Sequence, residues 1–200
     1  FGALDESVAF LAAQDGGIEK IIATHISVVL LGATRAYKLK RAVSFPFLDF
    51  STPQLRAQMC ARELRLNAPL ASALYLGVAR ITREKDGALA MDGAGALVDA
   101  VVVMRRFADD ALFDKMAQDG ALTKPLIETL ARKIAQAHAQ TQPDLTIGAS
   151  AAMRKALDAT LANLVAAAPA QADEIDALAA QLRAALEAQA DLLDARKAKG

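Results

Sequence analysis

Ile26-Ser-Val-Val-Leu-Leu-Gly-Ala-Thr-Arg-Ala-Tyr-Lys-Leu-Lys40 is the stretch on which the fold turns. Its first six residues are β-branched or aliphatic apart from one serine, Gly32-Ala-Thr34 supplies a turn, and Arg35 to Lys40 alternates charged or small residues with apolar ones. That pattern predicts a β-hairpin. The two-residue period of its second strand sets Ala36, Lys38 and Lys40 on one face and Tyr37 and Leu39 on the other. Upstream, Glu6 to Gln14 reads as a short amphipathic helix with Val8, Leu11 and Ala12 on one side, ended by Gly16 and Gly17. A helix so short needs a larger body to pack on.

Downstream, Ser51-Thr-Pro53 offers an N-cap and a proline at the first helical position, opening a helix to about Ala68 with Leu55, Met59, Leu66 and Cys60 facing inward. Gly77 to Arg83 and Val98 to Phe107 flank a glycine-rich connection and read as a second antiparallel pair. Val98-Asp-Ala-Val-Val-Val-Met104 is almost continuously apolar, the mark of a central strand covered on both faces. The front therefore reads as a sheet of about five strands. After Phe107 the pattern turns helical: Asp109 or Asp110 caps a short helix ending at Gly120, and Thr123-Lys-Pro125 opens a longer one to about Gln140. Leu126, Ile127, Leu130, Ile134 and Ala137 form its expected inward stripe, and Gln142-Pro143 its stop. Two more helices are expected over 149–168 and 171–198, separated by Pro169, with Leu178, Leu182, Leu186 and Leu193 covering a helical lobe.

The 200 residues, 54% hydrophobic, are enough for a real core, in one domain or two lobes. Basic and acidic residues balance at 23 each, which excludes the diffuse positive field of sequence-independent nucleic-acid binders. A single cysteine excludes a disulfide framework, so cytoplasm is the expected compartment. The opening Phe-Gly-Ala-Leu has neither an initiator Met nor a basic segment, and no apolar run is long enough for a membrane span, so a cut piece without anchor is expected.

The element order, a small sheet with one helix inserted after its third strand and then helices only, resembles a protein-kinase-like fold. Ala36-Tyr-Lys38 is similar to the small-x-Lys pattern of the kinase third strand, and Glu63 follows inside the next helix. Thr24-His-Ile-Ser27, Ala36-Tyr-Lys-Leu-Lys40, Phe47-Leu-Asp-Phe-Ser-Thr52, Glu63-Leu-Arg-Leu-Asn67, Leu74-Tyr-Leu-Gly-Val78 and Val103-Met-Arg-Arg-Phe107 together resemble the bacterial aminoglycoside-phosphotransferase-like family, whose members often carry a P-loop ATPase domain. The resemblance covers residues 15 to 140 well and the terminal helices loosely. It implies an α+β chain: a kinase-like N-lobe over 1–107, an antiparallel sheet plus one inserted helix, followed over 108–200 by the first helices of an incomplete helical C-lobe. It implies ATP and Mg2+ as cofactors, with Lys38 on the α and β phosphates, Glu63 holding it, and Met104, Arg105 and Phe107 at the adenine. The implied partners are a nucleotide, an unidentified small-molecule acceptor and a P-loop ATPase domain in the same parent chain, with neither nucleic acid nor membrane.

The departures are equally specific. No Gly-x-Gly-x-x-Gly precedes the hairpin, leaving Thr24 to Ser27 to face the phosphates, and neither His-Gly-Asp nor a later metal-binding aspartate is present. The chain thus reads as a fragment whose catalytic loop lies beyond its C-terminus and which does not transfer phosphate alone. A non-catalytic kinase-fold module, regulating or contacting a P-loop ATPase, is the competing function, and an all-helical adaptor a third.

Single residues also carry two readings. Lys38 is a ligand or an edge-strand surface lysine; Lys40, on the same face, is its rival but is expected to be solvated at the strand end. Glu63 pairs with Lys38 or, as a solvated carboxylate, with Arg56 or Arg62. His25 is expected in a local hydrogen bond and Cys60 buried as a small apolar residue, and the resemblance of the helix ending around His138 to the family implies that it packs under the catalytic loop expected beyond the C-terminus.

Overall fold

The computed structural model describes residues 2–14, 16–142, 145–146 and 148–199, so Pro143, the expected helix stop, lies outside the described residues. In chain order the elements begin with α1 (Gly2–Ala12), β1 (Ile18–Ala23), β2 (Ser27–Gly32), β3 (Arg35–Lys40) and the short pair β4 (Ser44–Phe45) and β5 (Leu48–Asp49). Next come α2 (Pro53–Asn67), β6 (Tyr75–Arg83), β7 (Leu89–Met91) and β8 (Ala96–Arg105). Five α-helical segments follow among the described residues: α3 (Phe113–Gln118), α4 (Lys124–Gln140), α5 (Ala149–Ala167), α6 (Ala172–Ala188) and α7 (Ala190–Lys199). The chain is mixed α+β and divides into two compact units, one running to Ala131 and the other beginning at Arg132. No helix among the described residues is long and apolar enough to cross a membrane.

The first unit is built on a six-stranded antiparallel sheet in the order β1-β2-β3-β8-β6-β7. β8 lies between β3 and β6, and Val101 and Val102 are fully buried on its two faces. On one face Val101 and Val103 join Leu30, Tyr37, Leu39 and Ile81 beneath Leu11 of α1. On the other, Ala100 and Val102 pack under Cys60 of α2. Coverage on both sides explains the unbroken apolar run of β8, and the two-residue period of β3 sends Tyr37 and Leu39 to the α1 face.

Sequence reading places no strand over β1, for a physical reason: five of its six residues are exposed, so the backbone ladder to β2 defines it and leaves no hydrophobic period. In α2, Thr52 caps the N-terminus by accepting a hydrogen bond from the Leu55 N–H at 3.2 Å, with Pro53 at the first position. The expected inward stripe of α2 is corrected in part. Leu66 is exposed, Leu55 and Met59 are half-buried, and the buried positions belong to Arg56 and Cys60. A guanidinium can lie there because Asp99 neutralises it and backbone carbonyls satisfy it: Arg56 Nε donates to Asp99 Oδ1 at 2.8 Å, Nη1 to Phe50 O at 3.1 Å and Nη2 to Val98 O at 3.1 Å.

In α4, no described residue is buried: Leu126 and Ala137 are half-buried, while Ile127, Leu130 and Ile134 are exposed, so the expected inward stripe is not covered. The second unit has a small core of Leu161, Ile175 and Ala179, flanked by Leu157, Val165 and Ala168. The single helix expected over 171–198 is two, α6 and α7, broken at Gln189. Ile175 and Ala179, four residues apart, make the inward face of α6, which rotates Leu178 and Leu182 out to solvent.

Candidate functional site

Because β3 is a strand, Lys38 and Lys40 point to the same side, about 7 Å apart along the backbone. α2 crosses that side of the sheet and brings Glu63 between them. Lys38 Nζ lies 2.9 Å from Glu63 Oε1, and Lys40 Nζ lies 2.6 Å from Glu63 Oε2. One carboxylate thus holds two ammonium groups. Burial pushes the Glu63 carboxyl up, but the hydrogen bonds and charges of Lys40 and Lys38 outweigh it, and the group titrates below the ordinary glutamate range.

Lys40 is corrected from its expected place in solvent. Its side chain is only 7% exposed, and its ammonium lies 5.3 Å from the centroid of the buried Phe50 ring. Glu63 pairs with neither Arg56, which is committed to Asp99, nor Arg62 in any ion pair among the described residues. Cys60 is fully buried, and desolvation raises its thiol to about 11.

Lys38 and Glu63 line a cleft of about 450 Å³ in the first unit. Its apolar wall is Ile22, Val29, Leu31 and Ala36 from β1–β3, with Tyr75, Met104, Phe107 and Leu112. Tyr75 reaches it through a bulge: Tyr75 opposes Met104 and Gly77 opposes Val103, so Leu76 is an extra residue that turns outward. At the rim, Asp109 accepts from Arg106 Nη2 at 2.8 Å and Lys20 Nζ at 3.3 Å, and these bonds hold its carboxyl below its usual range. Arg106 Nε is a buried donor with no hydrogen-bond partner among the described residues.

Four of the five residues singled out from the sequence, Lys38, Glu63, Met104 and Phe107, meet at this cleft. Arg105 does not: its Nε turns away to donate to Ala73 O at 3.1 Å. The Arg105 N–H is bonded to Leu74 O at 2.8 Å and the Arg106 N–H to Thr34 O at 2.9 Å, so neither amide is open to a ligand. Sequence reasoning missed Tyr75, Lys20 and Asp109 as residues lining the cleft with Lys38; the first depends on a bulge, the second on an edge strand with no periodic signal, and the third on a short turn after β8.

The segment left to take the place of a glycine loop, Thr24 to Ser27, is a closed turn. Thr24 Oγ1 accepts from the Ser27 N–H at 3.0 Å and the Ile26 N–H at 3.4 Å, and the Thr24 N–H donates to Ser27 O at 2.8 Å. His25 lies beside the Phe45 ring, 6.5 Å between centroids, and His138 is exposed on α4.

A cleft with an apolar wall and with Lys38, Lys20, Arg106 and Lys115 among its lining side chains can take a ligand that has a flat apolar part and an anionic part. Magnesium fits less well. Glu63 and Asp109 are each committed to two cations, and no group of three metal-ligating side chains lies together among the described residues.

No protein-family model matches the chain, and no solved structure does. Uncharacterized proteins of Mycobacterium bovis and of two strains of Mycobacterium tuberculosis are each 34% identical to it over 119 residues. The match covers 60% of this chain and 22% of each relative, so the chain corresponds to about a fifth of the relatives' length.

Proposed function

We propose that this chain is the nucleotide-binding part of a kinase-fold small-molecule phosphotransferase, a kinase-like N-lobe followed by the first helices of a helical lobe. The observation that carries the reading is the Lys38–Glu63 pair, 2.9 Å apart, lining a cleft of about 450 Å³ beside its apolar wall. A strand lysine can reach a phosphate but samples many rotamers, and a carboxylate on a packed helix limits them before the ligand arrives. In this reading Lys38 meets the α and β phosphates of ATP, Glu63 orients it, and Met104 and Phe107 flank the adenine. Arg105 has no direct part. When bound, magnesium would neutralise phosphate charge, and no residue of this chain is assigned to it. The sequence contains no His-Gly-Asp string, so phosphoryl transfer is not assigned to these residues, and the acceptor alcohol is left open.

The second reading, a non-catalytic kinase-fold module acting with a P-loop ATPase, is favoured by one observation: the amides of Ile26 and Ser27, where a phosphate-covering loop would offer donors, are already bonded to Thr24 Oγ1. Calorimetry with ATP, with and without magnesium, tests both on this chain and its Lys38→Ala variant. Saturable binding by the parent, weakened about ten-fold or more in the folded variant, is the expected outcome, from the loss of a charge-assisted hydrogen bond. Absence of ATP binding in this chain and in its full-length parent would sink the ATP-dependent reading and leave the interaction module.

A further inference from the structure

The two lysines on Glu63 are not equivalent. Lys38 lines the cleft and its side chain is 31% exposed; Lys40 does not line the cleft, is 7% exposed, and makes the shorter contact, 2.6 Å against 2.9 Å. The Phe50 ring, itself buried, lies against the Lys40 ammonium at 5.3 Å and holds it in place. The neighbouring buried ions, Arg56 and Asp99, satisfy each other. The group of Lys38, Lys40 and Glu63 therefore carries two positive charges and one negative, and the surplus cation is on the open side.

This surplus matters at the moment an anion arrives. A lysine that leaves a half-buried glutamate for a phosphate strands the carboxylate without a counter-charge, which opposes the move. With a second cation fixed behind the glutamate, that penalty falls away. Resting on the nucleotide-cleft reading above, we propose that Lys40 is a positioning residue: by neutralising Glu63 from behind, it leaves Lys38 free to transfer its hydrogen bond from Glu63 Oε1 to the anionic tail of the ligand. Lys38 is the movable cation and Lys40 the fixed one. No covalent step is involved, and the ligand touches Lys40 at no point.

The test uses the whole chain with three probes: ATP, inorganic tripolyphosphate and the uncharged adenosine. Lys40→Met weakens ATP and tripolyphosphate by about ten-fold, the size expected for loss of one charge-assisted contact, and leaves adenosine unchanged. Lys40→Arg, which keeps a cation behind Glu63, retains most of the affinity. Placed on a Glu63→Gln background, Lys40→Met changes affinity by less than about two-fold, because the group through which Lys40 acts is gone. An equal loss on both backgrounds overturns the proposal, since Lys40 would then act on the phosphates directly through space. So does an unchanged affinity in Lys40→Met, and in that case ATP binding by the parent chain leaves the cleft reading standing. Binding of none of the three probes by the unsubstituted chain and by its full-length parent overturns both. Should Lys40→Met fail to fold, 15N NMR of the lysine ammonium groups decides without a variant: on adding ATP the Lys38 signal moves and the Lys40 signal stays. Movement of the Lys40 signal by a comparable amount overturns the assignment.

Discussion

Glu63 shows how much one residue's chemistry depends on what the fold brings to it. Its pairing with Lys38 was expected only from the resemblance of Ala36-Tyr-Lys38 and the following helix glutamate to the kinase pattern, and the two groups do meet, at 2.9 Å. Its pairing with Lys40 was not expected, because a lysine at a strand end reads as solvated until Phe50 and α2 are seen to close over it. The low pKa of Glu63 sets a pH dependence. A carboxyl held below its ordinary value in the folded state contributes stability that is full above the unfolded pKa of about 4.3 and is lost as pH falls through the lowered value. Urea unfolding of the parent and of Glu63→Gln should differ by a constant amount between about pH 6 and 8, and the gap should narrow below about pH 4. A gap that widens on acidification would contradict the ion-pair assignment.

At the scale of elements, α2 is tied to the sheet by a contact that hydropathy does not announce. In β8, Leu97 opposes Thr82 and Asp99 opposes Ile81, so Val98 is an extra residue. The bulge accompanies the turning of Asp99 to Arg56 under α2, where both side chains are at most 3% exposed. Removing one partner leaves the other charge buried. Arg56→Met is therefore expected to cost about 3–5 kcal/mol in urea denaturation, and adding Asp99→Leu should recover most of it. A loss below about 1 kcal/mol would show that the pair is not buried as described. Sequence patterning found β2, β3 and β8 because burial imposes their periods, and it found the start of α2 because Thr52-Pro53 is a local signal. It overread α4 and α6, since an apolar stripe marks a face that could be buried without stating that anything in the chain buries it.

At the scale of the whole molecule, each of the two compact units has a core of its own, and every residue lining the cleft lies before Ala131. A chain ending at Ala131 should unfold cooperatively and bind ATP within about two-fold of the full chain, as an autonomous unit with its own core does. A fragment that is molten, or that binds much more weakly, would show that the later helices complete the first unit. Local and periodic information in the sequence determined the hairpin, the central strand, the capped helix and the same-face placement of Lys38 and Lys40, because those follow from backbone geometry and from burial that repeats along one element. Only the tertiary structure decided that Arg56 and not Leu66 is buried, that Tyr75 and not Arg105 meets the cleft, and that Lys40 is a buried partner of Glu63. Each depends on a bulge, a counter-ion or a ring supplied by a distant part of the chain, and no local period encodes such contacts.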